Sequence, residues 1–154
     1  MDQTKEYLSK EKFEELTAEL EDLTHNKRKE IAESLEAAKS LGDLSENAEY
    51  HSARESQAAI EGRISDLENI LKNAVITTSR HQTSIVGIGS TVTLKRGKET
   101  KTYTIVGSEE TDVASGKISN RSPLGESLFG RKKGDKFECT TPRGSETCEV
   151  LEIQ

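Results

Sequence analysis

From residue 50 onward, one stripe of side chains repeats alternately three and four positions apart: Tyr50, Ala53, Gln57, Ile60, Ile64, Leu67, Leu71 and Ala74. Only an α-helix with a narrow apolar seam brings such residues onto one face. Upstream, Phe13, Leu16, Leu20 and Leu23 keep the same rhythm. The rhythm then slips, because Lys27 stands where an apolar residue is due and Ile31 and Leu35 follow at spacings of 8 and 4. Read as a four-residue insertion into a heptad pattern, the slip predicts that the pairing loosens and straightens there. Gly42 lies between the two seams, and no proline occurs before residue 79. Two seam-bearing helices joined by a short glycine-containing link predict an antiparallel hairpin. About 30 residues per helix give a finger roughly 45 Å long, whose tip is remote from any core.

The second half has a different grammar. Residues 79–154 hold both prolines and nine of the eleven glycines. That shift predicts a helical finger over 1–78 and a globular domain over 79–154, with 77–84 (TTSRHQTS) as the linker. The run 90–107 (STVTLKRGKETKTYTIVG) reads as two strands around a turn at Gly97. The run 135–153 (DKFECTTPRGSETCEVLEI) reads as a second hairpin turning at Arg143 and Gly144. That register places Cys139 opposite Cys148, within reach of each other. Residues 122–135 (SPLGESLFGRKKGD) read as a loop, a short helix and a basic turn. The expected fold class is α+β: a long coiled-coil hairpin followed by a small antiparallel sheet domain with one short helix.

Charge follows the same division. Residues 1–78 carry 10 Lys/Arg against 18 Asp/Glu, and residues 79–154 carry 12 against 10. The acidic half is poorly suited to binding a nucleic-acid duplex, which needs clustered positive charge. Two cysteines are too few for a disulfide framework or a four-cysteine zinc site. No apolar run approaches the length of a membrane span. The N-terminal MDQTKEYLSK lacks the basic and apolar regions of a signal peptide, so a cytoplasmic location and a reduced cysteine pair are expected.

The corner between the seams, 42–50 (GDLSENAEY), carries Asp43, Glu46 and Glu49. Local physics offers a purely structural account: Gly42 ends the first helix, Asp43 caps the second, and Glu46 closes a capping box. Acids also favour the positive end of a helix dipole. A second account uses the same spacing. Two carboxylates one turn apart at a free tip are ligands for Mg²⁺, a hard cation that completes its shell with water and phosphate oxygens. Such a tip suits an ion shared with another protein's active site, where a second metal assists phosphodiester hydrolysis.

The stretches 42–55 (GDLSENAEYHSARE) and 60–71 (IEGRISDLENIL) resemble the tip and second helix of the bacterial Gre transcript-cleavage factors. Residues 107–119 (GSEETDVASGKIS) and 122–144 (SPLGESLFGRKKGDKFECTTPRG) are similar to their C-terminal domain, and the tip is of the GreA type. The resemblance implies an FKBP-like second domain that docks at the rim of the RNA polymerase secondary channel while the finger enters it. It implies that Asp43 and Glu46 act as the catalytic pair, helping to hold an Mg²⁺ shared with the polymerase and orienting the water that cuts backtracked RNA near its 3′ end. The factor then stimulates another enzyme's reaction, without sequence-specific DNA binding and without a membrane. Ser122, Pro123 and Leu124 match the family's docking loop, and Lys39 and Arg54 fall where the family carries RNA-contacting basic residues. Locally, the first three also read as an ordinary proline-led turn and the last two as partners in ion pairs. Glu49, one turn beyond Glu46, reads either as a third ligand or, the favoured reading, as a solvated helix acid; Tyr50 reads as packing at the hairpin end, and Arg131, Lys132 and Lys133 as a solvated corner. His25, His51 and His81 share no spacing and receive no role. The alternative function is a Gre-like protein that plugs the channel and inhibits transcription without cleavage; a coiled-coil adaptor for an unrelated partner is a third reading.

Overall fold

The computed structural model describes residues 5–43, 45–77, 84–141 and 144–154. The chain divides into two compact units, residues 13–73 and residues 1–12 together with 74–154. Among the described residues, no helix is long and apolar enough to cross a membrane.

In the first unit, α1 (Lys10–Asp22) runs into a π-helical turn (Leu23–Lys27) and then α2 (Arg28–Ser40), and α3 (Ala48–Lys72) returns beside them. The two seams face inward. Leu16, Ala38, Ala53, Ile64 and Leu67 are buried, and Phe13, Leu20, Leu23, Ile31, Leu35, Tyr50, Gln57, Ile60 and Leu71 are half-buried. The slip after Leu23 has a specific cause. A π turn takes one residue more than an α turn, so it moves the stripe by one position, and Leu23 to Ile31 becomes eight residues where a heptad has seven. The expected four-residue insertion is therefore a one-residue insertion, absorbed within a continuous helical run. Lys27 occupies the seam position half-buried, with its ammonium 2.8 Å from Glu30. Two forked ion pairs cross between the helices: Arg28 with Glu61, at 2.7 and 2.6 Å, and Arg63 with Glu19, at 2.7 and 2.9 Å.

The second unit is a five-stranded sheet of β3 (Thr91–Arg96), β4 (Glu99–Val106), β5 (Lys117–Ser119), β6 (Lys136–Thr141) and β7 (Gly144–Ile153), in the order β5-β4-β3-β7-β6. It is mixed rather than purely antiparallel, because β4 and β5 run parallel. The short helix α4 (Pro123–Leu128) covers one face. Val92, Leu94, Ile105, Val150 and Leu128 are fully buried there, together with both cysteines. The hairpin around Gly97 is present, with Arg96 paired to Glu99 and Gly97 at φ +57°.

The second hairpin is shifted by one residue on each strand. Cys139 faces Glu146 and Cys148 faces Phe137, so the cysteines are diagonal neighbours and not opposed. The register expected from sequence would pair residue 142, a proline without an N–H to donate, with Ser145. Diagonal placement still brings the two Cα atoms to 5.9 Å, within the usual disulfide range, and the sulfurs are joined. That corrects the expectation of a reduced pair. Residues 142 and 143 of the expected turn, and most of the expected linker 77–84, lie outside the described residues.

By compactness, residues 1–12 and the segment from Ala74 group with the sheet unit. β1 (Glu6–Leu8) pairs in parallel with β2 (Ala74–Ile76), and both belong to the sheet unit. Three contacts seat β1. Gly107 lies flat against Tyr7, where a Cβ would stand 1.7 Å from the Tyr7 carbonyl oxygen. Arg121 reaches the Lys5 carbonyl at 3.0 Å and the Glu6 carboxylate at 2.9 Å. Glu110 accepts from the Ser9 hydroxyl at 2.5 Å and from its N–H at 3.1 Å.

Candidate functional site at the hairpin tip

Among the described residues, the turn at the tip is held by polar side chains and backbone. Leu41 closes α2 with its N–H on the Ala38 carbonyl, and Gly42 follows at φ +124°, a conformation that favours glycine. Asp43 does not cap α3. Its Oδ1 accepts instead from the Ser45 N–H at 3.0 Å and the Ser45 hydroxyl at 2.9 Å, a local Asx turn. Those two bonds, the backbone one foremost, hold the Asp43 carboxyl below the usual aspartate range.

The cap of α3 is Asn47, whose Oδ1 accepts from the Tyr50 N–H at 2.9 Å. The capping box expected at Asp43 and Glu46 is therefore absent, because α3 starts one turn later than that box requires. Glu46 is exposed beside the cap rather than part of it. Helix geometry thus accounts for Gly42 and Asn47 and leaves both carboxylates in solvent. Leu41, 66% exposed, adds a large apolar side chain to the same end.

The donor set is all oxygen, which fits a hard cation, but two carboxylates are far fewer than the six ligands Mg²⁺ takes. Among the described residues, no group of three or more His, Cys, Asp or Glu is placed to hold a metal. Asp43 and Glu46 supply oxygen donors of the kind a hard cation takes, and would leave most of its shell to other ligands.

Lys39 is exposed in the last turn of α2. Arg54 is exposed on α3 and donates to Gln57 at 2.9 Å. Glu49 is exposed in the first turn of α3, and Tyr50 is half-buried on the seam. His25 meets the Glu21 carbonyl one turn before it and His51 meets the Ser45 carbonyl in the tip loop, while His81 lies outside the described residues.

In the sheet unit, Ser122 is the N-cap of α4. Its hydroxyl accepts from the Gly125 N–H at 3.0 Å and donates to the Ser119 carbonyl at 2.7 Å. Pro123 occupies the first turn, exposed, and Leu124 packs against the core. The basic turn is not wholly solvated: the Arg131 guanidinium lies 4.9 Å from the centre of the Phe137 ring and donates to the Ser127 carbonyl.

Sequence reading did not single out Ser45 or assign Asn47 a role. The signals are present, an Asp-x-Ser turn followed by Asn directly before a helical run with an acid in its first turn, but the Asp43-x-x-Glu46 spacing mimics a cap and conceals them.

Comparison with known proteins defines the class. Residues 6–76 match the family described as transcription elongation factor, N-terminal, and residues 81–154 match transcription elongation factor, GreA/GreB, C-terminal. The chain is 44% identical over 150 residues to transcription elongation factor GreA of Bacillus anthracis, covering 96% of this chain and 95% of that protein. It is 44% identical over 156 residues to GreA of Shouchella clausii, covering 99% of each. Among solved structures, Thermus aquaticus Gfh1 is 29% identical, with 98% of this chain and 99% of that one covered and a TM-score of 0.46. Two halves that each match a domain of one class of elongation factor, in order and over nearly the whole length, leave a single assignment. The chain belongs to the GreA/GreB family of transcription elongation factors.

Proposed function

We propose that this protein enters the secondary channel of bacterial RNA polymerase with its helical finger and stimulates the polymerase's own cleavage of backtracked RNA. The observation that carries the reading is the pair Asp43 and Glu46, exposed at the finger tip and spared from helix capping by Asn47. Asp43 stays ionised under the hydrogen bonds of Ser45, and so offers negative charge at neutral pH. In this reading both acids hold Mg²⁺ together with the polymerase, and that ion supplies electrostatic stabilisation of the cleaved phosphodiester. Glu46 or Asp43 accepts a hydrogen bond from the attacking water and orients it. The polymerase provides the enclosed site, which an exposed tip lacks, so the free chain is a stimulator and not a nuclease. Lys39 and Arg54 contact the phosphates of the extruded RNA without reading sequence. Ser122, Pro123 and Leu124 present the α4 end of the sheet unit to the channel rim, with Pro123 as the exposed contact.

The test is RNA shortening in stalled, backtracked polymerase complexes with Mg²⁺. Cleavage near the 3′ end is expected only when polymerase and this protein are both present. Binding that blocks synthesis with no shortened RNA would instead identify the inhibitory, channel-plugging alternative.

A further inference from the structure

The Asn47 side chain does more than cap a helix. A helix leaves its last carbonyls and first N–H groups without partners of its own. Asn47 bonds one of each, on two different helices, and shares the Ala38 carbonyl with the Leu41 N–H, which reaches it at 3.2 Å. Its Nδ2 donates to the Ala38 carbonyl in the last turn of α2 at 2.6 Å, and its Oδ1 accepts from the Tyr50 N–H in the first turn of α3 at 2.9 Å. Ala38 is buried, 3% exposed, and of the two bonds its carbonyl accepts the Asn47 bond is the shorter and the only one of the two that comes from α3's side of the loop. Between these anchors lie Asp43 and Glu46, with the Ser45 carbonyl held at 3.3 Å by His51 Nε2. Among the described residues, these polar bonds are what hold the loop between α2 and α3.

We infer that Asn47 is a positioning residue for the cleavage reaction: by tying the end of α2 to the start of α3, its carboxamide fixes where Asp43 and Glu46 point. The inference rests on the cleavage reading for its functional arm. An amide is required because the two anchors are opposite in kind, one a carbonyl needing a donor and the other an N–H needing an acceptor. Asp keeps the acceptor and places a carboxylate against the Ala38 carbonyl. Ser keeps a capping oxygen without new charge but is too short to span both anchors. Each preserves the helix cap and removes the tie.

The experiment compares wild type, Asn47→Ser and Asn47→Asp in the backtracked-complex assay, alongside amide hydrogen exchange of the free proteins. The expected result is a fall of about 10–100-fold in the maximal cleavage rate, the scale of a misplaced catalytic group. The half-saturating concentration for polymerase should stay within about twofold, since the residues proposed for docking lie in the sheet unit. Exchange of the amides of residues 45–48 should quicken in both variants while the rest of α2 and α3 stays protected. Wild-type cleavage rates in both variants, or a loss confined to half-saturation, would overturn the positioning role. Unchanged exchange at 45–48 would overturn the tie itself. If wild type binds polymerase and never cleaves, the cleavage reading and this role within it both fall, while the exchange measurement still decides whether Asn47 joins the helices.

Discussion

The finger tip and the α4 loop both carry residues that family resemblance marks as functional, yet their local chemistry differs sharply. At α4, Ser122 is engaged twice, as acceptor for Gly125 and donor to Ser119, and Leu124 is packed on the core. Those two residues have a full structural explanation, and only Pro123 faces solvent. At the tip, the work of ending one helix and starting the next falls to Gly42 and Asn47, while Glu46 and the Asp43–Ser45 turn serve neither helix. Residues that the fold does not need, held in an ordered turn, are those whose chemistry is available to a partner. The comparison separates residues that the fold uses, Ser122 and Leu124, from carboxylates that neither helix end uses, Asp43 and Glu46.

The largest effect that would break this contrast is at the tip. Asp43→Asn and Glu46→Gln should each lower RNA cleavage by about 100-fold or more, the scale of losing a preorganised catalytic group, with no shift in thermal midpoint. A drop in stability alongside the lost activity would mean that the acids are structural after all. At α4 the opposite is expected. A Cβ on Gly125 would stand 2.0 Å from the Ser119 carbonyl oxygen, so Gly125→Ala should destabilise the sheet unit by about 2–3 kcal/mol in denaturant unfolding. Reducing the Cys139–Cys148 bond closes no new contact and opens a short loop, which should cost the same unit about 2–3 kcal/mol. Neither change should alter the tip's amide exchange. Within the finger, Arg63→Ala removes a forked pair with Glu19 whose partners are 40% and 37% exposed, and should cost no more than about 1 kcal/mol.

The smallest effect sharpens the account of Asp43. Its folded carboxyl is depressed by Ser45, so any stability it adds is present above the unfolded aspartate value and is lost as pH falls through the lower folded one. An NMR titration should find the Asp43 midpoint below the ordinary aspartate value in wild type. Ser45→Ala should raise that midpoint, leaving the carboxyl ionised at neutral pH in both.

Much of this was legible in the sequence because periodicity reports burial directly. Tyr50 to Leu71 lies on the inward stripe of one long helix, with Ala74, the last residue of the expected seam, falling in β2 instead, and the slip after Leu23 marks the π turn at Leu23–Lys27. What the sequence hid has physical causes. Spacing alone does not distinguish a one-residue insertion from a four-residue one, since Leu23, Lys27, Ile31 and Leu35 stand four apart under either reading. Strands of three residues such as Glu6–Leu8 have no periodicity to detect, and their partner lies 68 positions away. Hairpin register turns on which residue leaves the ladder, and moving the turn centre by one residue changes every pairing by two, which takes Cys139 from opposite Cys148 to its diagonal. At the tip, two candidate caps stood four residues apart, and only the three-dimensional start of α3 chooses Asn47 over Asp43.

The most direct test is competition in backtracked complexes, with Asp43→Asn plus Glu46→Gln in one chain added against wild type. The account predicts that the double variant displaces wild type at equal concentration and suppresses RNA cleavage in proportion to its occupancy. A double variant that still supports cleavage, or one that no longer displaces wild type, would contradict it: the first by removing chemistry from the tip acids, the second by making them part of docking.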